Sequence, residues 1–220
     1  MNPKLTGIWE HMRNLGLCAL AHANRHAAYY DVQNGAWDEL AVLQAAHAAE
    51  ILIKARIAQE HPLLIFDSLP KTSGNELDLE TLFEKGKTIE WSELPDRLWA
   101  VTGMELPNIE IYKQFGKLRN GIQHFAPAPD IDVSYATLNF VFNVIDPFIN
   151  ECWNLFAIDY DEDYIAYENF APALIERKIP FLVSREAAEC FEFWDIDWNN
   201  IDEDYKQLIF ERVNQAKTNK

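Results

Sequence analysis

Between Pro107 and Pro127 the chain gathers the side chains best suited to chemistry: Lys113, Lys117, Arg119, Asn120 and His124. Positive charge clusters here, with no acid after Glu110. An imidazole titrates near neutrality and moves a proton to or from a hydroxyl. A guanidinium offers a planar fork to phosphate oxygens and stabilises charge that builds in a transition state. An asparagine amide orients the imidazole or a ribose. The set suits cleavage of a phosphodiester, with a ribose 2′-hydroxyl as nucleophile and no carboxylate pair for Mg²⁺. Arg119, Asn120 and His124 are the candidate catalytic residues, and Lys117 and Lys113 the candidate substrate-binding cations. At about 100° per residue, Asn120 and His124 share a helical face, while Arg119 lies about 140° from His124. Arg119 and His124 therefore flank a groove from two sides and do not bond each other as an i, i+4 pair. Spacing alone is a weak signal, because most such groups in helices are structural.

The elements that must carry these residues read as helices. Residues 7–31 show apolar positions Ile8, Met12, Leu15 and Ala19 at helical spacing, with Thr6 as cap and Asn34-Gly35 as a stop. Residues Trp37 to Gln59 predict a second helix, ended at His61-Pro62. Two long helices with a short join predict an antiparallel hairpin. A loop over 62–78 carries Pro62, Pro70 and Gly74. A short helix follows at Leu79–Lys85, then one near Glu93–Val101, started by Ser92 and closed by Gly103. Pro107-Asn108 opens the motif helix, about Ile109 to Phe125, which Pro127 and Pro129 end. Ser134 to Ile158 predicts a long apolar helix bent at Asp146-Pro147. Beyond an acidic turn at 159–164, Ile165–Glu176 and Glu203–Ala216 predict helices. Residues 179–183 read as a strand or an extended packing segment.

A second polar group lies on the second helix. His47, Glu50 and Lys54 stripe one side of an otherwise apolar element, and polar groups there need partners. One reading is a Glu50–Lys54 i, i+4 pair at a wet edge. The other is a stripe that faces the motif helix and completes its cleft, with Glu50, His47 and Lys54 as auxiliary residues. His22 and His26 also stand i, i+4, a spacing that zinc uses, but no carboxylate at helical spacing joins them, and no metal or cofactor is expected. Trp194 and Trp198 sit among Asp195, Asp197, Asp202, Glu203 and Asp204. That patch reads as a solvated rim with its indoles turned inward, or as a contact for a basic partner.

Composition bounds these readings. Of 220 residues, 49% are hydrophobic and 25% charged, an ordinary globular balance, and 28 Phe, Tyr and Trp argue against disorder. Net charge is −16, which argues against a broad nucleic-acid surface but not against a small basic cleft. Residues 1–150 hold 12 basic against 19 acidic side chains, and residues 151–220 hold 7 against 16, so acid concentrates toward the end. No stretch has membrane-spanning length, and no signal segment is evident at the start. Cys18, Cys152 and Cys190 are odd in number and far apart, so reduced, buried thiols in a cytoplasmic protein are expected.

Arg119-Asn120-Gly-Ile-Gln-His124 resembles the R-N-x-x-x-H signature of the HEPN superfamily, small helical bundles of toxin–antitoxin, antiviral and RNA-processing systems. The order of elements over residues 5–158 resembles that family too: a long helical hairpin, a motif helix, then a long apolar helix. The resemblance implies an all-α, HEPN-like bundle over residues 1–158 with an acidic C-terminal extension over 159–220 packed on it. It implies a homodimer through the motif helix, in which two Arg/His sets line one cleft. It assigns His124 as acid/base, Arg119 as phosphate ligand and Asn120 as positioning residue, for metal-independent cleavage of RNA to 2′,3′-cyclic phosphate ends. An antitoxin or regulatory protein is the expected partner. Some family toxins carry a modified tyrosine two residues after the histidine. Here that position is Ala126, so silencing by that route is not expected. The competing readings are a non-catalytic HEPN dimer that binds RNA or protein, and an unrelated helical scaffold.

Overall fold

The computed structural model describes residues 3–71, 78–126, 130–162 and 166–218. It is all-α in character, as the periodicity predicts. Helix α1 spans Ile8–Ala28 and α2 spans Trp37–Glu60. Their joint is close: a methyl group added at Gly16 would meet Leu52 Cγ at 2.7 Å, so this position tolerates no side chain without movement. Helix α2 is buried on nearly every side, from Ala41 and Val42 through Leu52 and Ile53 to Ala58. A helix apolar all round belongs at the centre of a bundle, and α2 touches α1, α4 (Leu94–Thr102), α5 (Ile109–His124) and α6 (Val133–Phe140). Its many alanines let those neighbours come near.

After α2, a 3₁₀ turn over Pro62–Ile65 leads into a short strand, β1 (Phe66–Ser68). It pairs antiparallel with β2 (Lys87–Thr88) across helix α3 (Leu79–Lys85). This small ribbon falls where a loop was expected. Helix α4 begins behind a 3₁₀ turn, Trp91–Glu93, where Glu93 Oε2 accepts the backbone N–H of Glu90. It closes at Gly103 in the left-handed region.

Helix α5 starts at Asn108, whose backbone is left-handed (φ 48°). The Asn108 side-chain N–H donates to the carbonyl of Asn143, 2.7 Å away. Pro147 is four residues beyond Asn143 and has no N–H to offer that carbonyl. The chain answers with a π turn over Val141–Ile145 between α6 and α7 (Asp146–Trp153). The expected bend near Asp146-Pro147 is therefore a widened turn, just ahead of the proline.

Residues after 159 share the bundle's core. Phe142 packs on Phe170 of α8 (Ala166–Glu176) and on Phe181, with ring centres 5.7 and 6.2 Å apart. Asp146 is fully buried; its two oxygens accept the backbone N–H groups of Ala157 and Leu182, each at 2.8 Å. The segment 179–183 is extended, with Ile179, Phe181 and Val183 buried, and it forms no strand. Helix α9 (Arg185–Glu189) and helix α10 (Glu203–Thr218) complete this part, α10 burying Ile209 and Val213.

Several expectations are corrected. Thr6 does not cap α1; the cap position is Gly7, at φ 79°, without a side-chain bond. The long apolar helix stops at Trp153, not Ile158, because Asn154 turns left-handed. Cys18 is exposed, while Cys152 and Cys190 are half-buried, so the thiols are not uniformly inside. Pro127 and Pro129 lie outside the described residues. No helix among the described residues is long and apolar enough to cross a membrane.

Candidate functional site beside the motif helix

The motif helix packs on α2, and the seam opens into a cleft of about 380 Å³ lined by Glu50, Thr88, Glu90, Trp91, Arg119 and Asn120, among others. One wall comes from α2, one from α5, and the third from the segment that follows the β1–β2 ribbon. The stripe on α2 thus faces the motif helix through Glu50, which gives Arg119 a carboxylate at 4.0 Å.

Glu50 is more tightly held by Lys54, at 2.6 Å. Lys54 is almost wholly buried, with 7% of its side chain accessible, and also donates to the Thr88 hydroxyl at 3.0 Å. The expected i, i+4 pair is therefore formed, with its lysine buried and its glutamate a quarter exposed at the cleft. It spends one charge of Glu50 on a lysine and leaves Arg119 at the outer limit of ion-pair distance. Glu90 is likewise engaged, with Lys87 at 2.8 Å, a contact that holds its carboxyl below the usual range. Arg119 is the one cation among the described lining residues, and its nearest carboxylate, Glu50, already has a closer partner.

Arg119 is held in place by its surroundings. It donates to Asn120 Oδ1 at 3.2 Å, and its guanidinium carbon lies 5.8 Å from the centre of the Trp91 ring. Trp91 in turn is fixed by α5. Tyr112 donates its hydroxyl to the Trp91 carbonyl at 2.8 Å. Burial, with Glu50 nearby, pushes the Tyr112 hydroxyl well above its ordinary range, so it stays a neutral donor. Between Tyr112 and Arg119, Gly116 makes the room: an added methyl group would come within 2.5 Å of Trp91 Nε1.

The remaining expected residues are not in this cleft. His124 is exposed, on the last turn of α5, and does not line it. Lys113 pairs with Glu110 at 3.0 Å on the outer face, Lys117 is exposed, and His47 is exposed on α2. His22 meets Glu162 at 2.6 Å, and the His26 ring lies 3.9 Å from that of Trp37. Among the described residues no three His, Cys, Asp or Glu side chains gather as metal ligands. Trp194 is buried against Phe181 and Phe191, and Trp198 is half-buried on Phe191 and Phe210, so these indoles turn inward.

Sequence reasoning missed Trp91, Thr88 and Glu90, which come from a turn far from the motif. One signal was present: Gly116 in the middle of an otherwise good helix, three residues before Arg119, marks a place where something large must approach. Comparison with protein-family models, curated proteins and solved structures gives no match to this chain.

Proposed function

We propose that the chain is a HEPN-type, metal-independent endoribonuclease that works as a homodimer. The observation that supports this most is the placement of Arg119. Its guanidinium lines a cleft, held beside Trp91 and Asn120, and the only carboxylate of the described residues within ion-pair distance, Glu50, already pairs more closely with Lys54. A phosphate entering the cleft would meet a positioned, incompletely paired fork.

His124 stands one turn further along α5, outside the cleft of its own chain. Twofold pairing of motif helices would bring two imidazoles to one scissile phosphate. One neutral imidazole takes the proton of the ribose 2′-hydroxyl, whose oxygen attacks phosphorus. The other, protonated, gives its proton to the leaving 5′-oxygen. The P–O5′ bond breaks, leaving a 2′,3′-cyclic phosphate and a 5′-hydroxyl, while Arg119 holds the equatorial oxygens and Asn120 the ribose. Apolar side chains at the end of α5 and the start of α6 support pairing: Phe125 is 95% exposed and Ile131 and Tyr135 are each 43% exposed. Such an activity suits a toxin or antiviral effector restrained by an antitoxin or regulatory protein.

The test is RNA cleavage in EDTA by wild type, Arg119→Ala and His124→Ala, with analysis of the 3′ ends. Cyclic phosphate ends from the wild type alone support the proposal. Equal cleavage by all three removes the case for catalysis. A second reading, a HEPN dimer that binds RNA or protein without cutting, is favoured by the separation of His124 from the cleft and by the net charge of −16. It predicts a wild-type dimer that binds RNA and leaves no cyclic ends.

A further inference from the structure

A second polar cavity lies elsewhere, between the end of α7 and the part of the fold built after it. It measures about 840 Å³, within the range of small-molecule sites. Four charged side chains line it: Asp159, Glu186, Arg185 and Arg212. Asp159 and Glu186 lie close enough that Glu186 adds to the negative field on Asp159. Arg212, more than half-buried in α10, lines it as a cation.

Among the described residues Asp159, Glu186 and Arg212 have no partner of opposite charge within ion-pair distance. Asp159 Oδ1 accepts hydroxyl protons from Ser184 at 2.5 Å and Tyr167 at 2.9 Å, both neutral donors. Its other oxygen accepts nothing among the described residues. No cation of the described residues stands within ion-pair distance of Asp159 or Glu186, because the neighbouring Arg185 pairs with Glu189 at 2.9 Å. The Arg212 guanidinium donates to the carbonyl of Phe181 and has no carboxylate of the described residues within ion-pair distance. The carboxyl that acts most on it, Asp146, lies beyond ion-pair distance, is held toward its neutral form by burial, and accepts two backbone N–H groups. Apolar side chains, Leu155, Phe156 and Val183, contribute to the walls.

A lone cation would satisfy the carboxylates and leave Arg212 facing it; a lone anion would do the reverse. A ligand with both charges satisfies each. We propose that this cavity binds a small zwitterion, a free amino acid or short peptide with an apolar side chain. Its ammonium sits on Asp159 and Glu186 and its carboxylate on Arg212. This site is independent of the cleft beside Arg119.

Isothermal titration of the full chain at low salt tests this, with L-leucine, leucyl-glycine and triglycine as probes and spermidine and inorganic phosphate as single-sign controls. The expected result is binding of at least one zwitterion with Kd below about 1 mM, with both controls at least about tenfold weaker. Leucine and leucyl-glycine distinguish an amino-acid site from a peptide site. Glu186→Gln, at an exposed position, should weaken binding several-fold with an unchanged melting midpoint. Arg212→Lys should retain more affinity than Arg212→Gln. The proposal is overturned by no heat with any zwitterion, by phosphate or spermidine binding as well as the best zwitterion, or by undiminished affinity in a folded Glu186→Gln.

Discussion

The indole of Trp91 lies parallel to the phenol of Tyr112, with ring centres 4.3 Å apart and 1° between planes. Trp91 is the wall against which Arg119 is positioned, so its seat on α5 decides the shape of the cleft. Gly116→Ala would push a methyl group to within 2.5 Å of Trp91 Nε1, a rigid ring atom. We expect a loss of about 1–3 kcal/mol in stability from this overpacking. We also expect a change in tryptophan fluorescence, read in the same urea titration. An unchanged midpoint would show that the indole is free to move.

Glu50 and Lys54 are unequal members of their pair. Removing Glu50 leaves a buried ammonium with only the Thr88 hydroxyl, whereas replacing Lys54 with methionine leaves a partly accessible carboxylate near Arg119. Glu50→Ala should therefore cost more than Lys54→Met, with a loss of about 2 kcal/mol for the first, since Glu50 itself is a quarter exposed. Chemical denaturation of both variants decides it, and the reverse order would refute the burial argument.

On the proposed chemistry, His124→Ala should lower cleavage by at least about a hundredfold, the usual scale for losing an acid–base group. The melting midpoint should hardly change, because the side chain is exposed. EDTA should leave the wild-type rate unchanged. Mixing an excess of His124→Ala protomers with wild type should lower the wild-type activity, because a mixed dimer keeps only one of the two imidazoles that the cleft draws on.

Asn108 serves α5 twice, by tolerating a left-handed backbone and by filling the Asn143 carbonyl. Asn108→Gly keeps the first and loses the second; Asn108→Ala loses both. The alanine variant should be the less stable by about 1 kcal/mol. Thermal melts of the two variants check the order.

Burial pushes the Asp146 carboxyl up to about 7, against its two backbone N–H donors and the Arg212 guanidinium. A raised carboxyl favours the fold while protonated. Its contribution is full below the unfolded value, near 3.8, and is lost as pH rises through about 7. The stability gap between wild type and Asp146→Asn should therefore shrink from pH 5 to pH 8. A widening gap in denaturant titrations would show that the ionised form is the stabilised one.

The helices were legible because their signals are local. Periodicity, Asn34-Gly35, His61-Pro62 and Gly103 mark α1, α2 and α4 within a few residues. The Glu50 side of the cleft could be suspected, because a carboxylate on a helix as apolar as α2 requires a partner. Trp91 could not, because its place depends on how a turn 28 residues before Arg119 crosses α5. The π turn was hidden for a related reason: Pro147 announces a distortion, but the form it takes depends on Asn108 reaching the freed carbonyl. Asp146 read as part of a bend, and its role as a buried acceptor depends on Leu182, 36 residues away.

The widened turn over Val141–Ile145 holds one residue more than an ordinary α turn. Deleting a single residue there would let the backbone close into α geometry while Asp146, Phe148 and Ile149 keep their bearing toward the interior. A further inserted residue would find no second widening to absorb it and would turn everything from Asp146 onward by about 100°. Phe148 and Ile149 would then swing off the interior, and Asp146 would point away from both amides it serves.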